Sequence, residues 1–126
     1  LELPMNADEI VMKGAKVLTF AMNVVPNNVN LLLKKTKINK NKIDKFIFHQ
    51  ASKYILDNIN RILSIKKEQT FENYSKVGNT ISASIPVALK DASNKKKLSE
   101  NDLIVLAGYG VGLSWGSTFI KWSKIL

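Results

Sequence analysis

The sequence contains no cysteine. That excludes disulfides, thiolate metal sites and a cysteine nucleophile supplied by this chain. It holds one arginine, Arg61, among 19 basic residues, and one histidine, His49. Recognition of nucleic-acid bases leans on the planar arginine fork, and unpaired strands want aromatic rings between the cations. Neither pattern occurs in the lysine-bearing stretches LLLKKTKINKNKIDK, SIKKE and NKKK, so nucleic acid is not an expected partner. No apolar run approaches the roughly 18–20 residues that a membrane span requires. Paired carboxylates in a shared motif, a metal-ligand cluster and a G-x-S-x-G elbow are all missing. With no internal repeat and no Pro/Gly/Ser linker, residues 1–126 are expected to form a single domain.

What is there is a 45% hydrophobic composition, enough for one core, and a formal charge of +9. Such an excess favours an acidic partner: a carrier protein, a phosphorylated cofactor or an anionic lipid. The scattered lysines read equally well as a solvated surface. The chain opens LELPMNADEI without an initiator Met, so a piece of a longer product is expected. The lack of cysteine and of a long apolar run makes a soluble cytoplasmic protein the expectation.

Periodicity divides the chain into alternating elements. Val17, Leu18, Ala21, Val24 and Val25 share a helical face between Gly14 and Ile38. Pro26 should end or kink that helix, with Val29, Leu32 and Leu33 resuming its face. A short strand is expected around Ile10 to Met12, and DKFIF reads as a buried strand. Ile55, Leu56, Ile59, Ile62 and Leu63 form the next helical stripe, with Ser52 as its candidate cap. FENYSKV is a weaker strand candidate. After Gly78 and Asn79 a third helix carries Ile85, Ala88, Leu89 and Ala92, with Pro86 tolerable only in its first turn. SEND at 99–102 reads as a turn, LIVLAGY as a strand covered on both faces, and LSWGSTFIKW as a final strand. Strands alternating with helices and two closing strands predict a layered α/β domain, mainly parallel with a terminal antiparallel hairpin.

Three stretches could carry chemistry. His49 follows a strand and precedes a helix, where α/β sheets place their ligand sites. A helix N-terminus there disfavours imidazolium and holds the ring neutral. His49 thus reads either as a core residue capping a backbone group or as a neutral donor. Asn79, in VGNTISAS, reads as a helix cap or as a carboxamide donor toward a developing oxyanion. GYGVGLSWG lacks the G-x-G-x-x-G spacing and leads into a strand, so it is no phosphate cradle. It reads as a hairpin turn, or as a turn whose N–H groups point into a site.

In order and spacing, MKGAKV from Met12, HQAS from His49, GNTISASIP from Gly78 and GYGVGLSWG from Gly108 resemble the β-ketoacyl-acyl-carrier-protein synthase III family of the thiolase superfamily. The likeness is to its C-terminal half, whose motifs run M-x-G-x-x-V/F, H-Q-A-N, G-N-T-S and G-x-G-x-G-x-x-W-G. His49 and Asn79 stand 30 positions apart, as the family's catalytic pair would.

The resemblance implies a three-layer α/β/α half with a five-stranded mixed sheet, mostly parallel, its final strand antiparallel. It implies decarboxylative Claisen condensation of an acyl thioester with malonyl-acyl carrier protein, at a Cys–His–Asn site whose Cys lies in an N-terminal half. His49 and Asn79 would then be catalytic, and the N–H of Val111 would join a second oxyanion site. Tyr109 takes the place of an aromatic beside that loop, and Gly14 and Ser52 match positions at the pantetheine entrance. CoA and carrier-protein thioesters would be substrates, with no permanently bound cofactor and no metal. Lys53 and Arg61 would touch the acidic carrier. The full-length protein would be a homodimer in the fatty-acid or a related lipid pathway, and this piece alone would be inactive. Three departures stand out: Ser52 where the family has Asn, Val111 where it commonly has Gly, and Tyr54 where it often has Arg. The alternatives are a specialised CoA-dependent condensing enzyme or acyltransferase of the same superfamily, and a non-catalytic pseudo-synthase.

Overall fold

The computed structural model describes residues 13–110 and 112–123. The strand expected at Ile10 to Met12, the start of the first motif and Val111 lie outside them. Helix α1 runs Gly14–Thr36, strand β1 Lys45–Phe48, helix α2 Lys53–Ile62, the short helix α3 Tyr74–Val77 and helix α4 Ser84–Asn94. Strands β2, Leu103–Gly110, and β3, Ser114–Lys121, follow.

α1 continues through Pro26 instead of ending there. The lost backbone hydrogen bond costs about 3 kcal/mol. Against it, Ala21, Val25, Val29 and Leu33 are all buried on one face, so both halves of the helix are held down by the same core. Lys34 and Lys35 lie in the last turn, where cations suit the carbonyl end of the helix dipole. Lys37 then turns left-handed at φ 56° and closes the end by donating its N–H to the Leu33 and Lys34 carbonyls.

The sheet among the described residues has three strands, ordered β1-β2-β3, rather than five. β1 and β2 are parallel, from Lys45 opposite Ile104 to Phe48 opposite Ala107. β2 and β3 are antiparallel, from Leu103 opposite Lys121 to Gly110 opposite Ser114. The sheet here is therefore evenly mixed, not mostly parallel. FENYSKV supplies no strand: Thr70 makes one isolated bridge to Phe46, and α3 begins four residues later. The reason is a competing partner. The Asn73 N–H that a ladder would need is taken by the Gln50 side chain.

Alternation along the strands sends side chains to opposite faces. Phe46, Phe48, Val105, Ala107 and Tyr109 pack with the buried faces of α1 and α2. Ile47 and Ile104 pack on the other side with Phe71 and with Ala88 and Ala92 of α4. Helices thus cover both faces of the sheet, a three-layer α/β/α arrangement. Pro86 falls within the first turn of α4, and the SEND segment is a turn closed by Asp102, whose carboxylate accepts the Ser99 N–H.

Candidate active site

β1 ends at the core, and its pairing with β2 continues one residue further. The His49 N–H donates to the Ala107 carbonyl at 2.9 Å, which pins the backbone of this residue to the central strand. Gln50 then turns inward and is fully buried. Its Nε2 donates to the Phe48 carbonyl at 2.8 Å, and its Oε1 accepts the Asn73 N–H at 3.0 Å. Gln50 escaped the sequence reading, because glutamine ordinarily marks a surface. Ser52 caps α2 as expected, accepting the Ile55 N–H at 3.4 Å.

The second wall comes from the loop between α3 and α4. Gly78 takes φ 69°, a left-handed value that glycine adopts freely. Asn79 Oδ1 accepts the Ile81 N–H at 2.9 Å, a local turn bond rather than the expected helix cap, since Thr80 and Ala83 stand at the N-cap positions of the next two helical segments without side-chain caps. The carboxamide NH2 is the part left to donate outward. Ile81 has φ 54° and is 76% exposed, an unusual state for a β-branched residue. A turn of 3-10 helix over Ile81–Ala83 delivers Ser84 into the interior.

The two segments meet at the imidazole. His49 Nδ1 lies 2.6 Å from Ser84 Oγ. Asn79 thus holds the start of the turn, through the Ile81 N–H, and the end of that turn brings Ser84 to the His49 ring. The Tyr109 ring meets the His49 ring edge-on, with centroids 5.2 Å apart. Burial pushes the His49 pKa below its ordinary 6.5, and the Ile81 contact opposes that only in part. The ring is neutral near pH 7 as expected, but desolvation is the main cause rather than the helix terminus. Burial also raises the Tyr109 phenol well above its usual range.

The remaining candidates lie apart. Gly14 is exposed at the start of α1. Lys53 pairs with Asp57 at 2.9 Å on the solvent face of α2, and Arg61 donates to Asn58 at 2.9 Å. Both line an open cleft of about 760 Å³ with Lys45, Lys67, Lys97 and Glu72, and neither His49 nor Asn79 belongs to it. The glycine-rich stretch is a tight hairpin between β2 and β3. Gly112 within it has φ 143°, and a Cβ there would come 3.2 Å from the Ser114 backbone nitrogen. Large apolar side chains stand exposed nearby in sequence, Leu113 and Trp115, as does Ile81 across the site.

Comparison with known proteins gives the family and the fold. The profile of the family described as 3-oxoacyl-[acyl-carrier-protein] synthase III C terminal matches residues 33–122. The β-ketoacyl-[acyl-carrier-protein] synthase III of Prochlorococcus marinus strain MIT 9515 is 43% identical over 113 residues, 90% of this chain and 34% of its own length. That of Oceanobacillus iheyensis is 36% identical over 124 residues, 98% of this chain and 40% of its own. The crystal structure of 3-oxoacyl-(acyl carrier protein) synthase III from Pseudomonas aeruginosa PAO1 superposes with a TM-score of 0.90 at 30% identity, covering 99% of this chain and 40% of the other. The chain thus spans between a third and two fifths of the length of these relatives. By the profile match, the sequence likeness and the shared thiolase-like fold, the chain belongs to the 3-oxoacyl-[acyl-carrier-protein] synthase III C-terminal family.

Proposed function

We propose that this chain is the C-terminal portion of an acyltransferase of the synthase III type, with His49 and Asn79 as the donors that stabilise a thioester enolate. The meeting of the two segments carries this reading: the turn whose Ile81 N–H is held by Asn79 ends at Ser84, and Ser84 Oγ lies 2.6 Å from the neutral His49 imidazole. An enolate oxygen gains charge as the reaction proceeds, and donors already fixed in place need no reorganisation to meet it.

In the proposed reaction a malonyl thioester loses CO2. The electron pair of the broken carbon–carbon bond moves into the enolate, whose oxygen faces His49 Nε2 and Asn79 Nδ2. The enolate carbon then attacks an acyl group held as a thioester on a cysteine from the N-terminal half. The tetrahedral oxyanion is received by the Val111 N–H, and collapse expels the cysteine thiolate. Lys53 and Arg61 meet the acidic carrier protein, and Gly14 and Ser52 border the pantetheine arm. The full-length protein works in the cytoplasm as a homodimer, with CoA and carrier-protein thioesters as substrates and no permanent cofactor.

The test is CO2 release from malonyl-carrier protein by the full-length protein. His49→Ala or Asn79→Ala should each lower turnover by about 10²–10³-fold, the usual cost of losing one oxyanion donor. A wild-type protein that decarboxylates no malonyl thioester sinks the proposal. Arg61→Glu should raise KM for carrier-linked malonate and leave KM for malonyl-CoA unchanged. Equal effects on both would favour a CoA-dependent enzyme instead.

A further inference from the structure

We propose that Ser84 is a positioning residue of this site: its hydroxyl donates to Nδ1 of His49 and so keeps the imidazole proton on Nε2. The inference rests on the functional reading above, and it names what fixes the donor that reading requires.

A count of donors and acceptors leads to it. Ser84 is 1% exposed, and its Oγ lies 2.6 Å from His49 Nδ1, its one side-chain partner among the described residues. A buried hydroxyl needs an acceptor for its proton. Nδ1 can accept only when the proton of the neutral ring sits on Nε2. In the other tautomer Nδ1–H would donate to Oγ, and the serine proton would be left without an acceptor among the described residues.

The surroundings hold both partners still. The Ser84 N–H donates to the Ile81 carbonyl, so the 3-10 turn sets where Oγ points. The His49 backbone is tied to Ala107, and the ring is bounded by the Tyr109 ring at an interplanar angle of 90°. The ring is also neutral, so it possesses a tautomer to select. The Ile81 backbone, whose proximity favours the charged ring, is the competitor. If its carbonyl took a proton from Nδ1, the selection would run the other way.

Nitrogen-15 NMR of the full-length protein with labelled histidine distinguishes these directly at pH 8, with His49 assigned by its loss in His49→Gln. The expected pattern is a protonated Nε2 and a bare Nδ1. Protonated Nδ1 in the wild type overturns the proposal. Ser84→Ala should give a mixture of tautomers and lower kcat for decarboxylation about 10-fold or more, short of the loss on removing a donor outright. KM for the malonyl thioester should stay within about twofold, and Ser84→Thr should restore both kcat and the spectrum. A drop in kcat with the tautomer unchanged would reduce Ser84 to a packing residue and overturn the assignment. A wild type that shows the expected tautomer, erased by Ser84→Ala, yet releases no CO2 would sink the functional reading and leave Ser84 in place.

Discussion

Replacing Gln50 with leucine should destabilise the protein by about 1–4 kcal/mol while keeping side-chain volume nearly constant. The figure follows from two bonds. The Asn73 N–H has the Gln50 Oε1 as its acceptor at 3.0 Å and sits in a residue only 2% exposed. Stranding such a donor costs about 1–3 kcal/mol. Losing the Nε2 donation to the Phe48 carbonyl adds about 0.5–1.5 kcal/mol, and the apolar leucine offsets part of the total. Urea unfolding would report the change as a lower midpoint at unchanged slope, and hydrogen exchange would show the Asn73 amide losing protection. Gln50→Glu supplies a signed control. Its carboxylate keeps the acceptor for Asn73 but places negative charge beside the Phe48 carbonyl, which raises its folded pKa. The extra stability of its protonated form is present at low pH and lost as pH rises through that raised value, so the deficit against wild type shrinks in acid. A Gln50→Leu protein within about 0.5 kcal/mol of wild type, with Asn73 still protected, would refute the clamp.

Further outcomes follow from the same geometry. His49 has its pKa lowered in the folded state, so its contribution to stability is complete above about pH 6.5 and is lost as pH falls through the lowered value. Comparing urea midpoints of wild type and His49→Gln from pH 7.5 to 4.5 should show that part of the acid sensitivity vanish in the variant. The Tyr109 hydroxyl is buried without a partner among the described residues, so Tyr109→Phe should be neutral or stabilising by up to about 1–2 kcal/mol. A loss of stability in that variant would mean the phenol is hydrogen-bonded. Gly112→Ala should cost about 1–3 kcal/mol, because φ 143° is strained for any other residue and the added methyl crowds Ser114. An unchanged unfolding midpoint would show that the hairpin relaxes freely.

Much of this was legible in the sequence where one local signal met no competitor. The KFIF strand, the Ser52 cap, the early Pro86 and the hairpin after LIVLAGY all stand where pattern and turn chemistry put them. His49 stood out as a lone histidine at a strand end. Elsewhere packing or a distant group overrides a local preference. Pro26 does not end α1, because Val25 and Val29 are buried on either side of it. FENYSKV does not extend, because Gln50 takes the Asn73 N–H from 23 residues away. The five-strand expectation came from the resemblance, and the described residues supply three. Gln50 and Ser84 could not be found from composition, since nothing local marks a polar residue as buried. Only the fold brings Ser84 to a histidine 35 positions earlier.

Ile81 gives the architecture its logic. Its N–H holds Asn79 and its turn leads to Ser84 at the His49 ring, yet it presents three quarters of its surface to water in a backbone conformation that branched side chains avoid. Any body that seats on it would recover about 1.5–3 kcal/mol from burial alone. Such a body would press on the same loop whose Ile81 N–H Asn79 holds and whose end carries Ser84 to His49.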